Sequence, residues 1–445
     1  MKALIERPSL AAAATVLISC LPADRTATGV HVSAADLTSV ALIVLAAAFL
    51  LSGRRAGVID VAGRRPSLRT GVMDVAGTLE RRAVVLAPLA AAATVALLAS
   101  ADTMTSLPGY LRFLQVFVLV PLAVLVTVRD RADVMIVAGS VVGAATLQGV
   151  LGCYQVLTGT GAAYEGERVR AVGTFGAPDV MGMATMVSYG VVILLAAGLS
   201  VRGNGRVLAL GGAGLLCVPL ALSLSRGSWI AVICAALVVL FLHSRAVAAR
   251  VVLVGAVGAA LAFAAGTGSD LLDRRLASIT EVVTDPDQSV SDRYSLWTAA
   301  TGMWVDNPLT GVGPRRFGEL RDTYAPLELS SGSDTDDPVH GYERRPLLSP
   351  HNMYLLILSE QGLLGLAAFA GFLGCLAWWA ARGAVLAAAG LVTWHVVSFT
   401  YGDIGGPSTM VTSVALGLAL ALVAGRRRAA VRTESRAAVG AGAAR

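Results

Sequence analysis

Three polar clusters interrupt the apolar runs of this chain, and each carries residues able to bind an anion or move a proton. The first is Arg168-Val169-Arg170-Ala171-Val172-Gly173-Thr174-Phe175-Gly176-Ala177-Pro178-Asp179. Two guanidiniums beside a Gly/Pro-rich turn suit a phosphorylated group, and Asp179 suits a helix start. The same pattern is also that of a loop with snorkelling arginines. The second is Ser223-Leu224-Ser225-Arg226-Gly227-Ser228-Trp229, a tight turn that holds the Arg226 guanidinium close to the helices. Its alternative role is to pair with helix C-terminal carbonyls. The third is Leu348-Ser349-Pro350-His351-Asn352-Met353-Tyr354. With Ser349 as N-cap and Pro350 as first helical residue, His351 falls in the first turn. There the positive helix end favours a neutral imidazole able to accept a proton, although a lone histidine also serves as an interfacial anchor.

The elements that position these clusters follow from composition. Hydrophobic residues make up 56% of the 445 and charged residues 14%, with mean hydropathy +0.71; a soluble domain carries about 25% charged residues. An integral membrane protein is therefore expected, and soluble-enzyme and nucleic-acid-binding classes are excluded. A spanning helix needs about 20 apolar residues. Such runs lie near 3–22, 37–52, 83–101, 111–128, 134–157, 179–200, 207–225, 228–243, 251–268, 352–380, 384–402 and 408–425. The expected fold is an all-α polytopic bundle of about 12 transmembrane helices, with a large outer-face loop containing short helices. Pro88, Pro121 and Pro219 interrupt three of the runs.

Basic residues orient the bundle. Net charge is +6, and all cations but Lys2 are arginines. Arg7, Arg54, Arg55, Arg64, Arg65, Arg69, Arg81, Arg82, Arg129, Arg131, Arg202, Arg206, Arg245, Arg250, Arg382 and Arg426 to Arg428 all fall on one side of this helix list. That side is expected to be cytoplasmic, with both termini. The chain then divides into helices one to nine over 1–268, an outer cap over 269–350, helices ten to twelve over 351–425, and a basic cytoplasmic tail over 426–445. The inner loop at 53–82 repeats Gly57-Val58-Ile59-Asp60-Val61-Ala62-Gly63 as Gly71-Val72-Met73-Asp74-Val75-Ala76-Gly77, which reads as a local duplication near lipid headgroups. In the cap, 291–305 reads as a short helix, 307–314 as a turn, and 330–337 as a flexible tip.

Topology brings together what spacing does not: Arg170, Arg226 and His351 all fall on the outer face. Two cations and one base suit transfer from a phosphorylated leaving group. Arginines neutralise the pyrophosphate as its bond breaks, and the base deprotonates an incoming hydroxyl. Pyrophosphate leaves without a general acid, so neither a metal nor a cofactor is expected. Asp334, Asp336 and Asp337 match no EF-hand spacing, and the five cysteines show no CxxC pair. Glu360 is expected about 13 Å deeper than His351 along the tenth helix, as interhelical glue or a proton relay. His395, beside Trp394, reads as a hydrogen-bonded core histidine.

At these residues the chain resembles the bacterial O-antigen ligase and polymerase-like family of membrane glycosyltransferases. The matching pieces run in the family's order over roughly 165–375. They are Arg170-Ala171-Val172-Gly173-Thr174-Phe175, Ser225-Arg226-Gly227-Ser228-Trp229, Arg293-Tyr294-Ser295-Leu296-Trp297 with Asn307-Pro308-Leu309-Thr310-Gly311-Val312-Gly313, and His351-Asn352-Met353-Tyr354 with Glu360-Gln361-Gly362-Leu363-Leu364-Gly365. After Gly-Thr-Phe the family commonly has Asn-Pro-Asn, where this chain has Ala177-Pro178-Asp179. The resemblance implies a GT-C-like bundle in the cytoplasmic membrane. It would take a glycan from undecaprenyl pyrophosphate on the outer leaflet and pass it to a glycan or lipid acceptor with inversion. Carried over by motif, Arg170 and Arg226 would bind pyrophosphate and His351 would activate the acceptor, with Arg168, Arg293, Asn352 and Tyr354 as secondary site residues. The same superfamily includes small-anion carriers, so a bicarbonate-like transporter is the alternative, and a scaffold for other envelope-glycan enzymes a third reading.

Overall fold

The computed structural model describes residues 6–21, 33–51, 83–162, 170–176, 179–264, 288–337, 341–406 and 408–442. The duplication at 57–77 and Arg168 lie outside the described residues.

Every apolar run becomes helical. In chain order the helices are α1 (Ser9–Ile18), α2 (Ala34–Leu51), α3 (Ala87–Ala99, after a 3-10 turn at Val84–Leu86), α4 (Thr103–Leu114), α5 (Val120–Thr127), α6 (Arg131–Thr158), α7 (Val180–Ser200), α8 (Asn204–Leu222), α9 (Arg226–His243) and α10 (Arg245–Ala264). The cap contributes α11 (Gln288–Asp306), α12 (Phe317–Tyr324), β1 (Ser333–Asp337) and β2 (Gly341–Arg345), followed by α13 (Met353–Arg382), α14 (Leu386–Ser398) and α15 (Thr409–Gly442). Helix starts follow local chemistry. Ser33 and Asp36 exchange bonds as a capping box at α2, Asp102 accepts from the Thr105 amide at α4, and Asp130 and Asp133 form a second capping box at α6. Pro88 sits in the first turn of α3, where no intrahelical donor is lost. Pro121 follows a π-helical turn, Gln115–Leu119, which joins α4 to α5.

Among the described residues seven helices are long and apolar enough to cross a membrane: Ala34–Leu51, Thr103–Thr127, Arg131–Thr158, Met181–Ser200, Asn204–Leu222, Arg226–His243 and Met353–Arg382. Shorter apolar helices lie at Ser9–Ile18, Val84–Ala99, Leu386–Ser398 and Thr409–Gly425. The chain is thus a multi-pass helical membrane protein. Helix α7 is its central post, packed on α6, α8, α9 and α14, with Met183 and Tyr189 fully buried. His395 has the role expected of it: it is buried, 2.9 Å from the Tyr189 hydroxyl, with Nδ1 2.6 Å from the Leu391 carbonyl.

Two local expectations are corrected. Residues 333–337 are not a flexible tip; they form β1, antiparallel to β2 with Ser333 opposite Arg345 and Asp337 opposite Gly341. Second, α13 is not one straight rod. Gly362 breaks it at φ 64°, ψ −163°, and the Tyr354 and Phe369 rings lie 6.1 Å apart. Fifteen residues of straight helix would separate them by about 22 Å, so the two halves fold sharply back on each other. Glu360 precedes that break, on the stretch of α13 that follows the His351 turn, and is buried. It meets the cap, where its carboxylate accepts from the Phe317 amide at 3.2 Å and its carbonyl from the Gly313 amide at 3.0 Å.

The turn motif 307–314 explains the break. Val312 and Gly313 donate to the carbonyls of Ser359 and Glu360, while Leu363 and Leu364 donate to those of Pro308 and Leu309. The cap segment thus takes up backbone groups that a broken helix leaves open. Backbones this close require glycine on both sides. A Cβ on Gly362 would sit 2.3 Å from the Leu309 carbonyl, and one on Gly311, 2.4 Å from the Glu360 carbonyl carbon. The strut holds α11 over the mouth of the bundle.

Candidate functional site

The loop that carries Arg170 is fastened from below by two glutamines of α6. Gln155 accepts from the Val172 and Gly173 amides at 3.1 and 2.8 Å; Gln148 accepts from the Thr174 amide at 2.9 Å and donates to the Thr174 hydroxyl at 2.7 Å. Two polar bonds exchanged between Arg170 and Ala162 close its base. The Ala171 amide then donates to the Leu222 carbonyl at 3.2 Å. That bond places the Arg170 loop against the end of α8, directly before the second cluster.

In that cluster Ser225 is the N-cap of α9, accepting from the Ser228 amide at 3.4 Å, so Arg226 is the first helical residue. Leu224 is forced to φ 52° to make the turn, a region L-residues enter at a cost. The Arg226 side chain is exposed, and among the described residues no acid pairs with it. The expected alternative of Arg226 bonding helix C-terminal carbonyls is not seen among the described residues. Gly227 faces inward, where an added Cβ would lie 2.2 Å from the Tyr401 ring.

The third cluster departs from its expected local structure. Asn352, not Ser349, is the N-cap: its Oδ1 accepts from the Tyr354 and Leu355 amides at 3.0 and 3.1 Å. The reason is competition, because the Ser349 hydroxyl is engaged as a donor to Asp403 and Asn caps at least as well as Ser. His351 therefore stands just outside α13, half-buried, at φ 49°. The first-turn argument for its protonation does not carry over. Two neighbours fix its backbone: Trp297 of α11 donates to the Pro350 carbonyl at 2.9 Å, and Met353 donates to the carbonyls of Phe399 and Gly402 at 2.9 and 3.0 Å. Because α13 folds back, Phe369 packs 5.6 Å from Phe399, and Phe117 lies 5.2 Å from Phe369 and 6.2 Å from Phe399.

One connection joins the clusters, the α14–α15 loop at 399–408. Tyr401 covers Gly227. Gly402 and Asp403 hold the His351 turn. At its far end the Ser408 amide donates to Asp179 Oδ2 at 3.0 Å. Asp179 is buried, and burial pushes its carboxyl above the usual range against the pull of the Ser408 and Gly182 amides. Arg293, one turn before Trp297, lies mostly buried near Asp403; burial lowers its pKa and Asp403 opposes the shift.

Of the expected site residues, the turns that carry Arg226 and His351 pack on the same loop, and the turn that carries Arg170 is bonded to the end of α8 that leads to Arg226. Arg293 sits beside Asp403. Asn352 and Tyr354 have structural duties, the first as a cap and the second donating to the Val396 carbonyl at 2.8 Å while packing on Phe369. Missed by sequence reasoning were Ser349 as Asp403's donor, Trp297 as anchor, and the loop residues Tyr401 and Asp403. A signal existed: Thr400-Tyr401-Gly402-Asp403-Ile404-Gly405-Gly406-Pro407 is a polar, glycine-rich break between two apolar runs.

Residues 211–370 match the family model described as O-antigen ligase. The matched stretch holds the Arg226 turn, the cap and the His351 turn, and stops before the 399–408 loop. No curated protein matches the chain.

Proposed function

We propose that this O-antigen ligase-like membrane protein transfers a glycan from undecaprenyl pyrophosphate to an acceptor hydroxyl on the outer face of the cytoplasmic membrane. In this reading the bundle has twelve membrane helices with both termini cytoplasmic, and the loops holding Arg170, Arg226 and His351 face outward. The observation that carries it is the 399–408 loop, which packs on the arginine turn at Gly227 and on the histidine turn at Met353 and Ser349.

The reaction divides among these groups. Arg170 and Arg226 bind the pyrophosphate, and their charge offsets the negative charge that grows as the glycosyl C–O bond breaks. His351 removes the proton of the acceptor hydroxyl as its oxygen attacks the anomeric carbon. The bonding electrons leave with the pyrophosphate. Asp403 and Ser349 position the His351 turn, and Arg293 balances the charge of Asp403. The arginines supply charge neutralisation without a metal ion, and displacement from the opposite side inverts the anomeric centre.

Purified protein in lipid, given a lipid-linked oligosaccharide of known anomeric configuration and an acceptor, tests this. A product of inverted configuration is expected by NMR. A retained configuration overturns the single displacement, and accumulation of solute in sealed vesicles without glycan transfer overturns the enzyme reading in favour of a transporter.

A further inference from the structure

At the far end of the 399–408 loop, glycines close on a carboxylate. Asp179 stands at the N-cap position of α7, where an aspartate ordinarily accepts from the first amides of its own helix. Here its bond crosses to a distant part of the chain. Oδ2 accepts from the Ser408 amide at 3.0 Å, and the Gly182 amide of its own helix exerts a weaker pull. A Cβ on Gly406, which sits at φ 73°, would lie 2.6 Å from that oxygen, and one on Gly182, 2.9 Å from it. Asp179 is left 9% exposed. The same turn of α7 reaches the arginine side of the site: Met181 Sδ accepts from the hydroxyl of Ser225, the cap of α9, at 3.2 Å.

Among the described residues no cation pairs with this carboxylate. The ionisable side chains on the elements around it are Arg170 on the loop before it, Tyr189 farther along α7, Arg226 at the head of α9, His395 on α14, and Tyr401 and Asp403 on the facing loop. The first turns of α15 bring only Thr409, Thr412 and Ser413 as polar side chains. What acts on the Asp179 carboxyl is burial, opposed by Ser408 and Gly182, and none of those charges. Burial wins, so the docked carboxyl holds its proton more tightly than a free one.

We infer that Asp179 is a positioning residue of the transfer: its carboxyl latches the 399–408 loop against α7, and the latch loosens when the carboxyl loses its proton. The inference rests on the reading of that loop as the piece that joins the arginine and histidine turns. With the loop released, Asp179 meets water and ionises in the ordinary carboxylate range, about 4. A group that binds its proton more tightly in one state favours that state while protonated. The docked loop is therefore firmest on the acid side and weakens as pH rises through the docked titration. Its docking equilibrium falls by about tenfold for each pH unit between the free and the docked titration. Acid alone does not favour turnover, because His351 must be neutral to take a proton. The base thus sets the acid limb of the pH profile, and Asp179 the alkaline limb.

Full-length protein in lipid, assayed for glycan transfer from about pH 5 to about pH 9, is compared with Asp179→Asn. The amide keeps an oxygen for Ser408 and cannot ionise. It should keep the acid limb and lose the alkaline one, so the ratio of variant to wild-type turnover climbs by up to about tenfold per pH unit once wild type turns down. Asp179→Ala, which offers the Ser408 amide nothing, should be slow at every pH; if it matches Asp179→Asn, the bond to the loop is idle and the latch fails. Hydrogen exchange over 399–408, corrected for the intrinsic pH dependence of exchange, reads the loop without any turnover. Wild type should lose protection as pH rises, and Asp179→Asn should not. The same pH dependence of exchange in both proteins overturns the latch. If exchange separates them but turnover does not, the loop's part in the transfer is overturned. If wild type transfers no glycan at any pH, it is the transferase reading that fails, and exchange still decides the latch.

Discussion

Two arginine clusters of this chain are held differently. Where α1 begins and α5 meets α6, Arg7 pairs with Asp130 at 2.6 Å and reaches Asp133 at 3.4 Å. Arg129 donates to Asp133 and to the Glu6 carbonyl. Asp133 is fully buried and also accepts from the Ser9 hydroxyl at 2.7 Å. These charges close on one another and join α1 to α6. In the other cluster Arg226 is exposed with no acid paired to it among the described residues, and two non-glycine residues of the site turns, Leu224 and His351, hold left-handed backbones. In the proposed reading the closed charges serve architecture, while the open charge of Arg226 and the strained backbones of Leu224 and His351 serve the site.

Four substitutions sharpen or break this contrast. His351→Ala should cut turnover by about 10²–10⁴, the usual share of a general base, while the protein keeps its elution profile and melting temperature. Arg226→Ala should cost about 10²-fold, with partial recovery in Arg226→Lys because charge returns without the planar fork; equal loss in both would show that geometry outweighs charge. Gly362→Ala should destabilise by about 1–3 kcal/mol through backbone strain and reduce turnover as the 307–314 strut is displaced, read by thermal unfolding and by assay. Asp133→Ala should lower stability by about 1–3 kcal/mol, leaving buried donors unmet, yet leave turnover per folded molecule unchanged. A large loss of turnover there would erase the distinction between the two clusters.

The extent of what the sequence disclosed follows from the same contrast. Helices were legible because apolar runs and basic flanks are local signals, and the expectation that Arg170, Arg226 and His351 share a face rested on alternation alone. The cap on α13 was misplaced because Ser349 and Asn352 both suit the position, and only the distant Asp403 decides between them. The break at Gly362 was hidden inside a run long enough for one helix, although Ser359, Glu360 and Gln361 interrupt its apolar pattern. Its cause lies 50 residues upstream, where Gly311 and Val312 meet Ser359 and Glu360. The 399–408 loop went unread for a similar reason: its partners are Gly227, Ser349, Met353 and Asp179, each from another part of the chain.

The account's central claim is that His351 is the base of a transfer from a prenyl diphosphate. Its most direct test is release of undecaprenyl pyrophosphate from a lipid-linked glycan by purified protein in lipid, wild type against His351→Ala, with acceptor present. Release coupled to glycan transfer by wild type, and loss of both in the folded variant, is the predicted result. Equal release and transfer by the two proteins would contradict it.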